Sequence, residues 1–144
     1  MADLDPLIRY RKHGVDERQR VLAELYRQTE ELERQRQAVQ EEMEKEMALA
    51  TDMATAEAAA FLGRYLEGAK RKIRTLEKAI RQMETRIAVA QEDMRNAYAE
   101  MKKIEITQRS RTEREKAEIN RKEGQELDDI AVEQYRRRLE EDGE

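Results

Sequence analysis

Thirteen successive core positions of a heptad repeat, all apolar, run through the middle of this chain: Leu62, Leu66, Ala69, Ile73, Leu76, Ile80, Met83, Ile87, Ala90, Met94, Ala97, Met101 and Ile104. Steps of four and three alternate, so the mean period is about 3.5 residues, and on an α-helix such a series draws one narrow stripe. A stripe of this kind is stable only when a second helix covers it. The constraint is strong because 43% of the residues are charged and 4% are aromatic. A chain with so little apolar bulk cannot fill a multilayered core, but it can fill a seam.

The rest of the composition agrees. Five Gly, one Pro and long runs of Ala, Glu, Arg, Gln and Leu favour long helices, and no segment reads as a strand. Disorder is disfavoured because a disordered chain has no reason to keep apolar residues in phase over six heptads. With no Cys and the single His13, disulfides, thiolate metal sites and multi-histidine zinc or triad chemistry are excluded, and no cofactor is expected. No apolar run approaches the roughly 20 residues of a membrane helix, and residues 1–12 lack the apolar segment of a signal peptide. The expected location is cytoplasmic, without direct membrane insertion. A net charge of −4 with interspersed signs predicts no phosphate-binding stripe and no nucleic-acid partner.

A second, weaker stripe precedes the first. Asp5 and Pro6 mark a helix start, as N-cap and first helical residue. From there Leu4, Ile8, Val15, Leu22, Leu25, Leu32, Val39, Met43 and Ala50 keep the four-three spacing, with polar residues at five further core positions: Arg11, Arg18, Thr29, Arg36 and Glu46. Extended towards each other, the two stripes miss by two residues, about 200° of helix rotation. One continuous helix would place them on opposite sides, so a break is predicted at residues 51–55, where Thr51, Asp52 and Thr55 compete for backbone hydrogen bonds. The predicted fold is therefore all-α: a long two-helix antiparallel coiled-coil hairpin, with helix one at about 5–50 and helix two at about 56–123.

In an antiparallel pair the facing residue numbers share one sum. A sum of 105 is preferred, pairing Leu66 with Val39, Ile73 with Leu32, Ile80 with Leu25 and Met83 with Leu22; a slip of one heptad, to 112, suits the core almost as well but leaves a turn made mostly of Ala. The preferred register exhausts helix one opposite Met101, so residues beyond about 104 overhang, with Gly124 as a hinge before a short amphipathic tail at 125–140. The seam itself is expected to rest on Leu22, Leu25, Leu32, Val39, Ile73, Leu76, Ile80, Met83 and Ile87. With the seam closed inside one molecule, the free protein is expected to be a monomer.

Little else signals chemistry. His13 reads as a solvated side chain, and the triplet Arg136, Arg137 and Arg138 is expected to be neutralised by Glu140, Glu141 and Asp142. Adjacent carboxylates such as Glu41 and Glu42 lack the enclosed site that acid–base catalysis needs, so enzyme activity is not expected. Phe61, Tyr65, Tyr26 and Tyr98 flank the stripes and either widen the seam or anchor a partner near the hairpin tip.

Two stretches, LDPLIRYRKHGVDERQRVLAELYRQTEELE at residues 4–33 and KIRTLEKAIRQMETRI at residues 72–87, resemble the FliJ family of flagellar type III export proteins. The resemblance implies a coiled coil similar to the stalk subunit of rotary ATPases. It further implies three kinds of partner: the hexameric export ATPase, the export-gate membrane protein and unladen export chaperones. Carried over to this sequence, gate contact falls on Lys72, Leu76, Ala79 and Met83; the pore-facing end is expected to use Arg9, Arg11, Lys12, Arg109, Arg111 and Arg114. The alternatives are a structural coiled-coil scaffold or a stalk protein of a virulence-type secretion system.

Overall fold

The computed structural model describes residues 3–143, which form two helices, α1 (Asp5–Met53) and α2 (Ala56–Asp142), packed against each other as an antiparallel hairpin. Helix α1 starts where the sequence predicts, with a different cap. The Asp3 carboxylate accepts the Asp5 amide at 3.0 Å and the Leu4 carbonyl accepts the first helical amide, from Ile8, at 2.9 Å. Asp3 thus does the work expected of Asp5, and Pro6 falls within the first turn, where its missing N–H costs nothing.

The break lies inside the predicted segment but takes only two residues. Thr51 does not stop the helix, because its hydroxyl donates back to the Met47 carbonyl at 2.8 Å. Ala54 adopts a left-handed conformation, φ 48°, while its amide bonds the Ala50 carbonyl at 3.1 Å, which is the geometry of a helix C-cap usually given to Gly. Thr55 then caps α2, its hydroxyl accepting the Ala58 amide at 3.0 Å. The Ala-rich stretch that follows is helical from Ala56 onwards.

Two compact units are distinguished: Lys12–Tyr98, and the described residues of 1–11 together with those of 99–144. Within Lys12–Tyr98 both stripes leave solvent. Val15, Leu22, Thr29 and Val39 are buried on α1; Ala69, Leu76, Ile80, Met83 and Ala90 are buried on α2; Leu25, Leu32, Ile73 and Ile87 are half-buried between them. Thr29, a polar interruption in the stripe, is buried with its hydroxyl donating to the Leu25 carbonyl at 2.8 Å, so it leaves no unsatisfied polar group.

The pairing follows the slipped register, with a sum near 112, and not the preferred sum of 105. Val39 shares a buried cluster with Ala69 and Leu76, against which Leu32, Met43, Tyr65 and Ile73 pack. Ala69 and Leu76 stand about 10 Å apart along one helix, too far to touch, so Val39 bridges them and faces Ile73. Farther along, Gln91 donates to the Tyr26 hydroxyl at 2.7 Å; the other register would hold these residues about 18 Å apart along the axis. Leu32 consequently faces Ile80 and Leu25 faces Ile87. The physical reason is twofold. Alanines make a poor turn and a good helix, so the Ala-rich segment is no obstacle to this register. The slip also sets large residues over small ones, Leu22 over Ala90 and Met43 over Ala69, which packs the seam more evenly.

In the other unit Met101 is buried, Leu4, Ile8 and Ile104 are half-buried, and Gln108 donates to the Asp3 carboxylate at 3.4 Å. Contact with the start of α1 therefore extends past the expected limit at 104. From Glu113 to Gly143 every residue is exposed except Gly124 and Glu133. Gly124 is no hinge: α2 passes through it unbroken, and the segment expected as a separate tail continues the same helix.

Candidate functional site

The grooves along the seam, such as those beside Val21 and Ala90 and beside Val39 and Tyr65, are shallow and open, and among the described residues no cluster of His, Asp or Glu could hold a metal ion.

The residues assigned to gate contact separate into two kinds. Leu76 (8% exposed) and Met83 (6%) belong to the buried seam, whereas Lys72 is exposed and Ala79 half-buried. Lys72 lines a groove with Val39, Glu42, Arg64, Tyr65, Gly68 and Ala69. The spacing 72-76-79-83 explains the split, because two of its positions are heptad core and two are flank. An external partner can reach Lys72 and Ala79; it cannot reach Leu76 or Met83 while the seam is closed.

Of the residues assigned to the pore-facing end, Arg9, Arg11, Arg109, Arg111 and Arg114 belong to the unit that contains 99–143, and Lys12 to the other. All are exposed except Arg111, which is half-buried. Arg109, Arg111 and Arg114 follow Gln108, which bonds Asp3 just ahead of α1. The exposed stretch from Glu113 onwards also displays Ile119, Leu127, Ile130, Val132, Tyr135 and Leu139, each more than half exposed.

Aromatic side chains divide similarly. Phe61 (55% exposed) stacks on Tyr65 with ring centroids 6.4 Å apart, and Phe61 shares a groove at the hairpin tip with Glu46, Leu49, Ala50, Met53, Thr55, Glu57 and Ala58. Tyr65 packs on the Val39 cluster, and its hydroxyl pKa is raised by partial desolvation and by the nearby Glu42 and Glu46 carboxylates. These rings widen the seam, and at the tip they leave apolar surface uncovered.

Charged side chains pair along each helix at spacings of three and four. On α1, Glu24 binds Arg27 and Gln28, and Glu31 binds Arg34 and Gln35, the same arrangement one heptad later. The hydrogen bond from Arg27, then that from Gln28, holds the Glu24 carboxyl down at about 2, and the Arg34 bond lowers Glu31 in the same way. His13 pairs with Glu17 at 3.1 Å on an exposed face. Arg136 and Arg137 pair upstream with Glu133, at 2.9 and 3.6 Å, and not with the carboxylates that follow them, because Glu133 sits one turn towards the N-terminus of both.

Neutralised surfaces throw one exception into relief. Residues 64–86 of α2 hold eight basic and three acidic residues, a local net charge of +5. That contradicts the expectation, drawn from the charge of the whole chain, that no basic stripe exists.

Comparison with known proteins adds one finding. A family model described as flagellar FliJ protein matches residues 1–140. No curated protein and no solved structure matches the chain.

Proposed function

We propose, on the premise that this chain belongs to the FliJ family of flagellar proteins, that it acts in type III export as a non-enzymatic coiled-coil stalk which engages the hexameric export ATPase. The observation that supports this reading is the stretch from Glu113 to Asp142: helical throughout, almost wholly exposed, and rich in charges of both signs. A helix of this kind meets a ring of surrounding loops through many weak contacts and no single deep one, which suits a part that couples successive states of a hexamer. Arg114 lies in that stretch and Arg109 and Arg111 just before it; these are the residues offered to the ring, with Arg9 and Arg11.

Contact with the export gate falls, on this reading, to the flank formed by Lys72 and Ala79. Leu76 and Met83 support it from beneath by fixing the helix against α1. Export chaperones are the third class of partner, and the exposed apolar tip around Leu49, Met53 and Phe61 is the surface offered to them. Such a protein works at the cytoplasmic face of the export apparatus, held by its partners; among the described residues no helix is long and apolar enough to cross a membrane.

The test is stimulation of the purified export ATPase. The full chain should raise its turnover. A chain ending at Thr112 should keep its circular-dichroism helix signal per residue and lose most of the stimulation. Full stimulation by the shortened chain would remove the exposed stretch from the mechanism.

A further inference from the structure

The basic excess on α2 is gathered on one side. At 100° per residue, Arg64, Lys70, Arg71, Arg74, Lys78 and Arg81 fall within an arc of about 120°, directed away from the seam, over about 25 Å of helix. All six are exposed. Between residues 64 and 81 the arc holds no aliphatic or aromatic side chain, and its one other member is an acid, Glu67, 3.9 Å from Arg71. Lys72 and Ala79 lie outside this arc, on the flank towards Tyr65, and Arg64, which also lines the groove beside Lys72, stands at the boundary; the inference does not rest on the function proposed above.

We infer that this arc is a docking face for an acidic membrane surface, held by charge alone. Three features select that occupant. A straight row of exposed cations on one rigid helix meets a plane along its full length, and clusters of four to eight Lys and Arg on a helix face bind acidic lipid headgroups. The absence of apolar side chains argues against a protein partner, whose interface would need a desolvated aromatic or aliphatic anchor. Nucleic acid is disfavoured because the chain as a whole carries −4 and the arc has no aromatic ring on which a base could stack. Within residues 64–81 six cations outnumber one acid on this face, so a planar anion laid on it meets a net positive charge.

The experiment is co-sedimentation of the full chain with vesicles of phosphatidylcholine alone or with about one-third phosphatidylglycerol. Binding is expected only to the phosphatidylglycerol vesicles at low salt, and it should vanish as added salt shortens the screening length. The triple variant Arg74→Gln, Lys78→Gln, Arg81→Gln should lower the partition coefficient about ten-fold or more. A second triple variant, Arg136→Gln, Arg137→Gln, Arg138→Gln, changes net charge equally and should bind as the parent does. Circular dichroism shows whether each is folded; should the first be unfolded, the single change Lys78→Glu tests the same arc. The inference fails if the parent does not bind phosphatidylglycerol vesicles, if both triple variants lose binding equally, or if the parent binds duplex DNA or polyglutamate but not vesicles.

Discussion

At Ala54 a side chain sits in a left-handed conformation, φ 48°, where L-residues meet their own carbonyl oxygen. Ala54→Gly removes that contact at the one place where the hairpin reverses. It should stabilise the fold by about 1 kcal/mol, read as a rise in Tm, and a fall in Tm would mean that the reversal depends on the methyl group. Gly14 is the opposite case. It occupies a helix interior beside buried Val15, and an added Cβ would meet only the Arg18 guanidinium, at 3.1 Å. That group is the far end of a flexible, exposed side chain, which donates to the Gly14 carbonyl at 3.0 Å and can shift, so Gly14→Ala should raise stability by up to about 1 kcal/mol. Ile80, 5% exposed and facing Leu32, tolerates no charge: Ile80→Asp should unfold most of the hairpin, seen as loss of the helical dichroism. A variant that melts like the parent would show that the seam is not the source of stability.

Helices of this length cannot be held by propensity alone, and α1 adds a repeated side-chain clamp. Glu24 with Arg27 and Gln28, then Glu31 with Arg34 and Gln35, place a carboxylate one turn before its donors, the favourable orientation along a helix. Both carboxyls titrate lower in the folded chain than in the unfolded one, Glu24 at about 2 against an ordinary 4.5. Their contribution is therefore complete above about pH 4.5 and is lost as the pH falls towards 2. Melting temperatures of the parent and of the double variant Glu24→Gln, Glu31→Gln should differ near neutral pH and converge on acidification. An unchanging difference would show that neither carboxylate gains by its pairing. Because these side chains are exposed, added salt should narrow the difference as well.

For the molecule as a whole, the register decides which residues meet. With no native cysteine to interfere, introduced pairs can read it directly. Val39→Cys with Ile73→Cys should form a disulfide within one chain on mild oxidation, whereas Val39→Cys with Leu66→Cys should not. The reverse result would restore the rejected register. Light scattering of the parent should give the mass of a monomer at every concentration, because the stripe from Leu62 to Ile104 is covered from within; a stable dimer would move that pairing between chains.

The fold was legible in the chain because periodicity is a local property. Two stripes in four-three spacing, out of phase by two residues, demanded two helices and a reversal; α1 and the start of α2 fall within about three residues of where those signals placed them, whereas α2 runs on to Asp142, past the expected end at about 123. Register was not legible, since a heptad repeat matches itself after every seven residues and only the fit of particular volumes across the seam, Val39 between Ala69 and Leu76, separates one match from the next. The same applies to the candidate sites. The resemblance assigned Lys72, Leu76, Ala79 and Met83 to one contact while the heptad stripe claimed Leu76 and Met83 for the seam, and the packing against α1 agrees with the stripe. The basic arc is hidden from composition because summing charge over 144 residues averages away a local +5, and a helix turns residues scattered in sequence into neighbours on a single face.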